Sequence, residues 1–221
     1  MYKQMLIKNN RPGTRLKPKG VVVHETGNPG GTAQNHFDYW NAKNRGSSVQ
    51  AVVDWNEVIQ LIPYNEVSWH AGRTANLSMI GVELCRPKTR SEDKFNEVWD
   101  TAVNLFADIF IEQVGVTTVT KDNLMSHAEV SAKWDETDHT DPISYFAEYG
   151  KTVDDFRWAV QQRINELSKP KLMTIKDAVD ILVAKGIVNT PDYWVENAVK
   201  GKSVNGEFTG LLIQRIAEKL R

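Results

Sequence analysis

Gly20-Val21-Val22-Val23-His24 is the segment that most constrains how this chain folds. Three β-branched residues in succession favour extended backbone, and neighbouring side chains of a strand point to opposite faces. Apolar residues on both faces need cover on both, which is the pattern of a central strand in an α/β sheet. Residues 49–53 and 58–62 read as two further strands, joined through the polar turn Asp54-Trp55-Asn56-Glu57 as a hairpin. Residues 80–85 read as another, with Val82 and Leu84 on one face and Gly81, Glu83 and Cys85 on the other. Helical spacing runs over 32–40, 93–114 and 152–167; in the second of these Phe95, Val98, Trp99, Ala102, Leu105, Phe106 and Ile109 share one stripe. Trp99 and Trp158 are both expected in the core. The predicted fold class is α/β, a mixed central β-sheet flanked by helices.

The pattern changes near Pro170. Residues 171–221 carry helical signals only, so the chain divides into a domain of 1–169 and a small C-terminal all-α domain of 171–221. Thr174 with Asp177 forms a capping signal, and Gly186 is placed to end the helix that follows. Thr190-Pro191 opens a second helix, and Phe208, Leu211, Leu212, Ile216 and Leu220 form one apolar stripe on a third. A bundle of about 50 residues is marginal on its own. It is expected to lean on the first domain or on a second copy, as a homodimer through these helices.

Composition excludes several function classes. The 221 residues hold 27 Lys+Arg against 28 Asp+Glu, a net charge of -1, which is no footprint for coating nucleic acid. The single cysteine, Cys85, excludes an internal disulfide and a multi-cysteine zinc knuckle. Apolar runs are too short for membrane insertion, and polar Lys8-Asn9-Asn10-Arg11 follows the first residues where a signal peptide would carry its hydrophobic stretch. Synthesis in the cytoplasm without a signal peptide is the expectation.

His24 ends the first strand, where side chains of open sheets emerge into a cleft. His127 follows the apolar approach Leu124-Met125-Ser126, and Asp141 lies further on, within Asp138-His139-Thr140-Asp141-Pro142. Two imidazoles and a carboxylate form a ligand set that zinc accepts, with a fourth position left for water. No His-Glu-x-x-His motif is present, so spacing alone leaves each histidine open to an ordinary structural role, and Glu83 open to being a surface residue. Asp138 is a weaker alternative ligand. Cys85 reads as a small buried thiol, and His36 as structural or cleft-lining.

Five pieces occur in one order: Val22-Val23-His24-Glu25-Thr26, Val67-Ser68-Trp69-His70-Ala71-Gly72, Ile80-Gly81-Val82-Glu83-Leu84-Cys85, Ser126-His127-Ala128-Glu129-Val130-Ser131 and Thr140-Asp141-Pro142. Over roughly residues 5–165 this set resembles the type-2, zinc-dependent N-acetylmuramoyl-L-alanine amidases, which include phage lysins and peptidoglycan recognition proteins. The resemblance implies that His24, His127 and Asp141 bind Zn²⁺. It also implies that Glu83 is the catalytic carboxylate, that His139 polarises the substrate, and that His70 lies near it. Trp69 and Trp134, on loops flanking that site, are expected to stack on sugar faces. The implied substrate is bacterial peptidoglycan, cut at the amide between N-acetylmuramic acid and L-alanine. Many relatives carry Cys where Asp141 stands and Lys where His139 stands, which leaves a rival assignment with His139 as the third ligand and Asp141 orienting it. Together with Asn10-Arg11-Pro12-Gly13, the missing leader resembles a phage or prophage endolysin, acting on the cell wall after release through a holin-type partner. The helical tail is then a cell-wall-binding module or a dimerisation element.

Overall fold

A computed structural model describes residues 2–169 and 173–221; Pro170 and Lys171, where the sequence places the join, lie outside them. The chain divides into two compact units, residues 1–168 and 169–221.

The first unit runs β1 (Lys3–Gln4), β2 (Gly20–Glu25), α1 (Ala33–Ala42), β3 (Ala51–Val53), β4 (Val58–Gln60), α2 (Gly72–Asn76), β5 (Met79–Leu84), α3 (Glu92–Ile109), β6 (Leu124–Ser126), α4 (His127–Trp134), α5 (Ile143–Ala147) and α6 (Val153–Leu167). The six strands form one sheet in the order β1-β4-β3-β5-β2-β6. Only the β3–β4 hairpin is antiparallel. Asp54 builds its turn: one carboxylate oxygen accepts from the Asn56 and Glu57 amides, and the other reaches across to the Ala33 amide at the start of α1.

As its sequence requires, β2 lies inside the sheet, paired to β5 on one side and β6 on the other. Val21 and Val23 point into the larger core, against the apolar stripe of α3 and against Phe156, Val160 and Ile164 of α6. Val22 points the other way, into a cluster with Ala71, Ala75, Met125 and Val130 beneath α2 and α4. A third cluster sets Val52 and Ile59 against Ala33 and Trp40 of α1, with Cys85 buried among them.

Trp158 departs from expectation: 67% of it is exposed. The buried stripe of α6 is Val153, Phe156, Arg157, Val160 and Ile164. Trp158, two residues past Phe156, is turned about 200° from it around the helix.

The second unit holds α7 (Ile175–Ala184), α8 (Pro191–Asn197) and α9 (Gly206–Lys219). Thr174 and Asp177 form the capping box of α7, and Gly186 takes a left-handed φ of 68° beyond its end. Val179, Val188 and Trp194 make a small core, while no residue of α9 is fully buried.

Close backbone approach fixes β2 beside the segment that leads into β6. A Cβ on Gly20 would lie 2.2 Å from the Asn123 carbonyl oxygen. Gly20→Ala is therefore expected to cost about 1–3 kcal/mol of stability, read as a lower urea midpoint with an unchanged slope.

Candidate metal centre and active-site cleft

Strand order places the chemistry. β2, β5 and β6 are parallel neighbours, so their carboxyl ends share one edge of the sheet, the position where open α/β sheets bind ligands. His24 stands one residue from the end of β2, Glu83 sits opposite it in register on β5, and His127 follows the last residue of β6. A cleft of about 490 Å³ opens there, lined by His24, Trp69, His70, Glu83, His127, His139 and Asp141 among others.

Three side chains converge, the Asp141 carboxylate facing one imidazole with each oxygen. His24 Nδ1 lies 3.1 Å from His127 Nδ1 and 3.2 Å from Asp141 Oδ2, and His127 Nδ1 lies 3.1 Å from Asp141 Oδ1. A tetrahedral ion with bonds of 2.0–2.1 Å would hold its ligands about 3.3 Å apart. The triangle fits such an ion, and among the described residues it is the group of His, Cys, Asp and Glu side chains placed for a metal.

The imidazoles are turned to present Nδ1. The Met79 carbonyl, 3.2 Å from His70 Nε2, can only accept, so that nitrogen carries the proton and His70 Nδ1 accepts. His24 Nε2, 3.0 Å away, must then donate to it, which leaves the His24 Nδ1 lone pair for the metal. His127 Nε2 has Thr137 Oγ1 at 3.1 Å to take its proton. His70 is thus committed at both ring nitrogens, and its amide donates to Asn76 Oδ1. The ring approaches the sheet so closely that a Cβ on Gly81 would lie 2.6 Å from His70 Cγ. Burial, then the neighbouring His24, holds His70 well below the usual imidazole range, and burial also lowers His24.

Burial works to raise the Asp141 carboxyl, but the facing His127 and His24 imidazoles outweigh it and hold the group below the usual carboxylate range. The Glu25 amide donates to its Oδ2, and its own carbonyl accepts from the Ala128 amide. His139 stands outside the triangle. Its ring stacks on His127 at 4.6 Å, its Nδ1 is 3.7 Å from Asp141 Oδ1, and 64% of its side chain is exposed.

Glu83 is different in kind. The residue is partly buried, and its Oε2, sealed from solvent, has no hydrogen-bond partner. Burial pushes its carboxyl well above the usual range, reinforced by Asp141 and Glu25.

Trp69 lines the cleft, but Trp134 does not; it lines a separate groove with Lys19, Arg73 and Met79. Trp134 ends α4, two helical turns, or about 10 Å, from His127 at its start. Sequence reading misses Thr137 and the buried Gln50, whose Oε1 accepts from the Gly81 amide and from Ser68 Oγ. Gln50 thereby ties β5 to the loop that carries Trp69 and His70. A lone Gln ahead of a strand gives no signal of this.

The ionisation of Glu83 sets a pH dependence. The unfolded chain ionises it near its ordinary 4.5, and the folded chain only at higher pH. Between those values the folded state holds the extra proton, so stability falls as pH rises. The unfolding temperature of metal-free Glu83→Gln, relative to metal-free wild type, is expected to climb from pH 4.5 upward; a gap that does not change with pH contradicts the desolvated carboxyl.

Known proteins place this arrangement. The N-acetylmuramoyl-L-alanine amidase family profile matches residues 14–144. Protein Ami of Listeria monocytogenes is 32% identical over 63% of this chain and 16% of its own length. N-acetylmuramoyl-L-alanine amidase CwlL of Bacillus licheniformis is 31% identical over 65% of this chain and 43% of its own. The chain thus spans less than half of either relative. Among solved structures, a mutant endolysin from Bacillus subtilis superposes with a TM-score of 0.59 at 27% identity, covering 72% of this chain and 98% of that one. With the profile spanning more than half of its residues, from the segment before β2 to the start of α5, the chain belongs to the N-acetylmuramoyl-L-alanine amidase family.

Proposed function

We propose that this chain is a zinc-dependent peptidoglycan hydrolase that cuts the amide between N-acetylmuramic acid and L-alanine, with catalysis in residues 1–169. The observation that carries this reading is the 3.1–3.2 Å triangle of His24, His127 and Asp141 beside Glu83, whose Oε2 is sealed from solvent with no partner. When bound there, Zn²⁺ supplies a Lewis acid for the amide carbonyl and lowers the pKa of a coordinated water toward about 7.

The chain's own residues do the rest. Glu83 accepts a proton from the attacking water and returns it to the leaving nitrogen, as its raised affinity for protons favours. His139, at the exposed mouth of the cleft and stacked on His127, donates a hydrogen bond to the oxyanion. Asp141 rather than His139 is the third ligand, because it joins the triangle. His70 serves the site through His24, whose ligating lone pair it sets, and Trp69 offers its face to a sugar ring. Trp134 is too far along α4 for that part.

The endolysin reading goes with this activity: the enzyme reaches the wall after release through a holin-type partner. The helical unit, which leaves Phe208, Leu211 and Ile213 exposed on α9, supplies the apolar surface for attachment to the wall or to a second copy.

Purified cell walls treated with this chain should gain new L-Ala amino termini. Glu83→Ala and a chelated sample should release at least 100-fold less, the scale expected for loss of a general base or of the metal. Wall binding without release would mark a non-catalytic binding protein, and new reducing sugars would move the cut to the glycan. Metal content separates the ligands: His24→Ala, His127→Ala and Asp141→Ala are expected to lose zinc, and His139→Ala to keep it. Full zinc in Asp141→Ala would overturn the ligand set.

A further inference from the structure

Arg157 lies on α6, beyond the region that the family profile matches. Its guanidinium is buried, and three partners use its three nitrogens. Nε donates to the Leu124 carbonyl at 2.8 Å, Nη1 to Asp154 at 2.6 Å, and Nη2 to Glu129 Oε2. Leu124 begins β6, and Glu129 lies in the first turn of α4. Between these two contacts sits the junction Ser126-His127.

Glu129 works on that junction directly. Its Oε2 also accepts from the Ser126 amide at 2.8 Å and faces Ser126 Oγ at 3.0 Å, while Ser126 Oγ accepts from the Glu129 amide at 3.1 Å. This is a reciprocal capping box, and the residue it launches is His127, the first of α4. Arg157 therefore grips both sides of the strand-to-helix junction with one rigid fork. A lysine is a point charge that cannot reproduce such a fork.

We infer that Arg157 is a positioning residue for metal binding, which acts through Glu129 and the Ser126 cap to hold the His127 backbone where its Nδ1 completes the triangle. The geometry at stake is fine. His127 Nδ1 has two partners at 3.1 Å, and one rotation of the first turn of α4 would carry it away from both. Groups that orient metal ligands in this way are commonly worth 10–100-fold in metal affinity. Arg157 can play this part only if His24, His127 and Asp141 hold a metal, so the test measures metal uptake itself.

Full-length wild type, Arg157→Lys, Glu129→Ala and Ile164→Ala are stripped of metal and titrated with Zn²⁺ against a chromophoric chelator. Each metal-free protein is also melted, and each is loaded with Co²⁺ to read its ligand-field absorption. Arg157→Lys and Glu129→Ala are expected to bind Zn²⁺ 10–100-fold more weakly and to shift the Co²⁺ bands. Ile164→Ala, buried on the same helix but facing α3, is expected to lower the melting temperature while keeping wild-type affinity. The role is overturned if Glu129→Ala keeps wild-type affinity and spectrum, or if Ile164→Ala loses as much affinity as Arg157→Lys. Should Arg157→Lys not fold, Glu129→Ala, with a half-exposed side chain, decides. A wild type that takes up no Zn²⁺ overturns the metal reading and this role with it.

Discussion

Everything at the cleft depends on β2 being buried on both faces and paired on both edges. A strand in that position cannot slide. A one-residue slip would put His24 into the α3 core and Val23 into the cleft. Its parallel partners end at the same edge, so one register fixes three polar groups at once: His24, Glu83 opposite it, and His127 just past Ser126. Antiparallel neighbours would send alternate strand ends to opposite edges. The clustering of the polar groups is thus a property of strand direction before it is one of side chains.

Around that edge the polar groups are supported in layers. The His24 imidazole leans on His70, which leans on the Met79 carbonyl at the start of β5. The Asp141 carboxylate is held by the Glu25 amide from β2 and by the imidazoles themselves. Glu83 Oε2 is left without a partner, and desolvation works against its ionisation. The contrast between two carboxyls a few residues apart in space, one held charged and one pushed toward neutral, is the signature of a divided task.

Much of this was legible in the chain as written. The valine run announced a doubly covered strand, the alternation in 80–85 put Glu83 opposite the Val82 and Leu84 face, and the Thr174–Asp177 cap was readable from spacing. Four strands of the mixed sheet and its flanking helices were readable in those patterns, while β1 and β6, of two and three residues, were not. What stayed hidden depended on contacts between distant segments. His70 reaches His24 only because Gly81 has no side chain to block its ring, and no local pattern links the three. Trp158 departs from its expected place because helical spacing alone leaves open which face of α6 is buried, and Trp134, expected on a loop, is the far end of a helix. The Ser126–Glu129 capping box and its arginine partner emerge only from the structure.

The clamp from α6 bears on where an autonomous domain could be cut from this chain. A fragment trimmed to the profile-matched span of 14–144 would keep the triangle of His24, His127 and Asp141, yet it would uncover the sheet face that Phe156, Val160 and Ile164 protect. It would also lose the guanidinium that secures the turn into α4. The portable unit therefore ends with α6, at the boundary near residue 168. Grafting the cleft onto another protein means carrying that last helix with it.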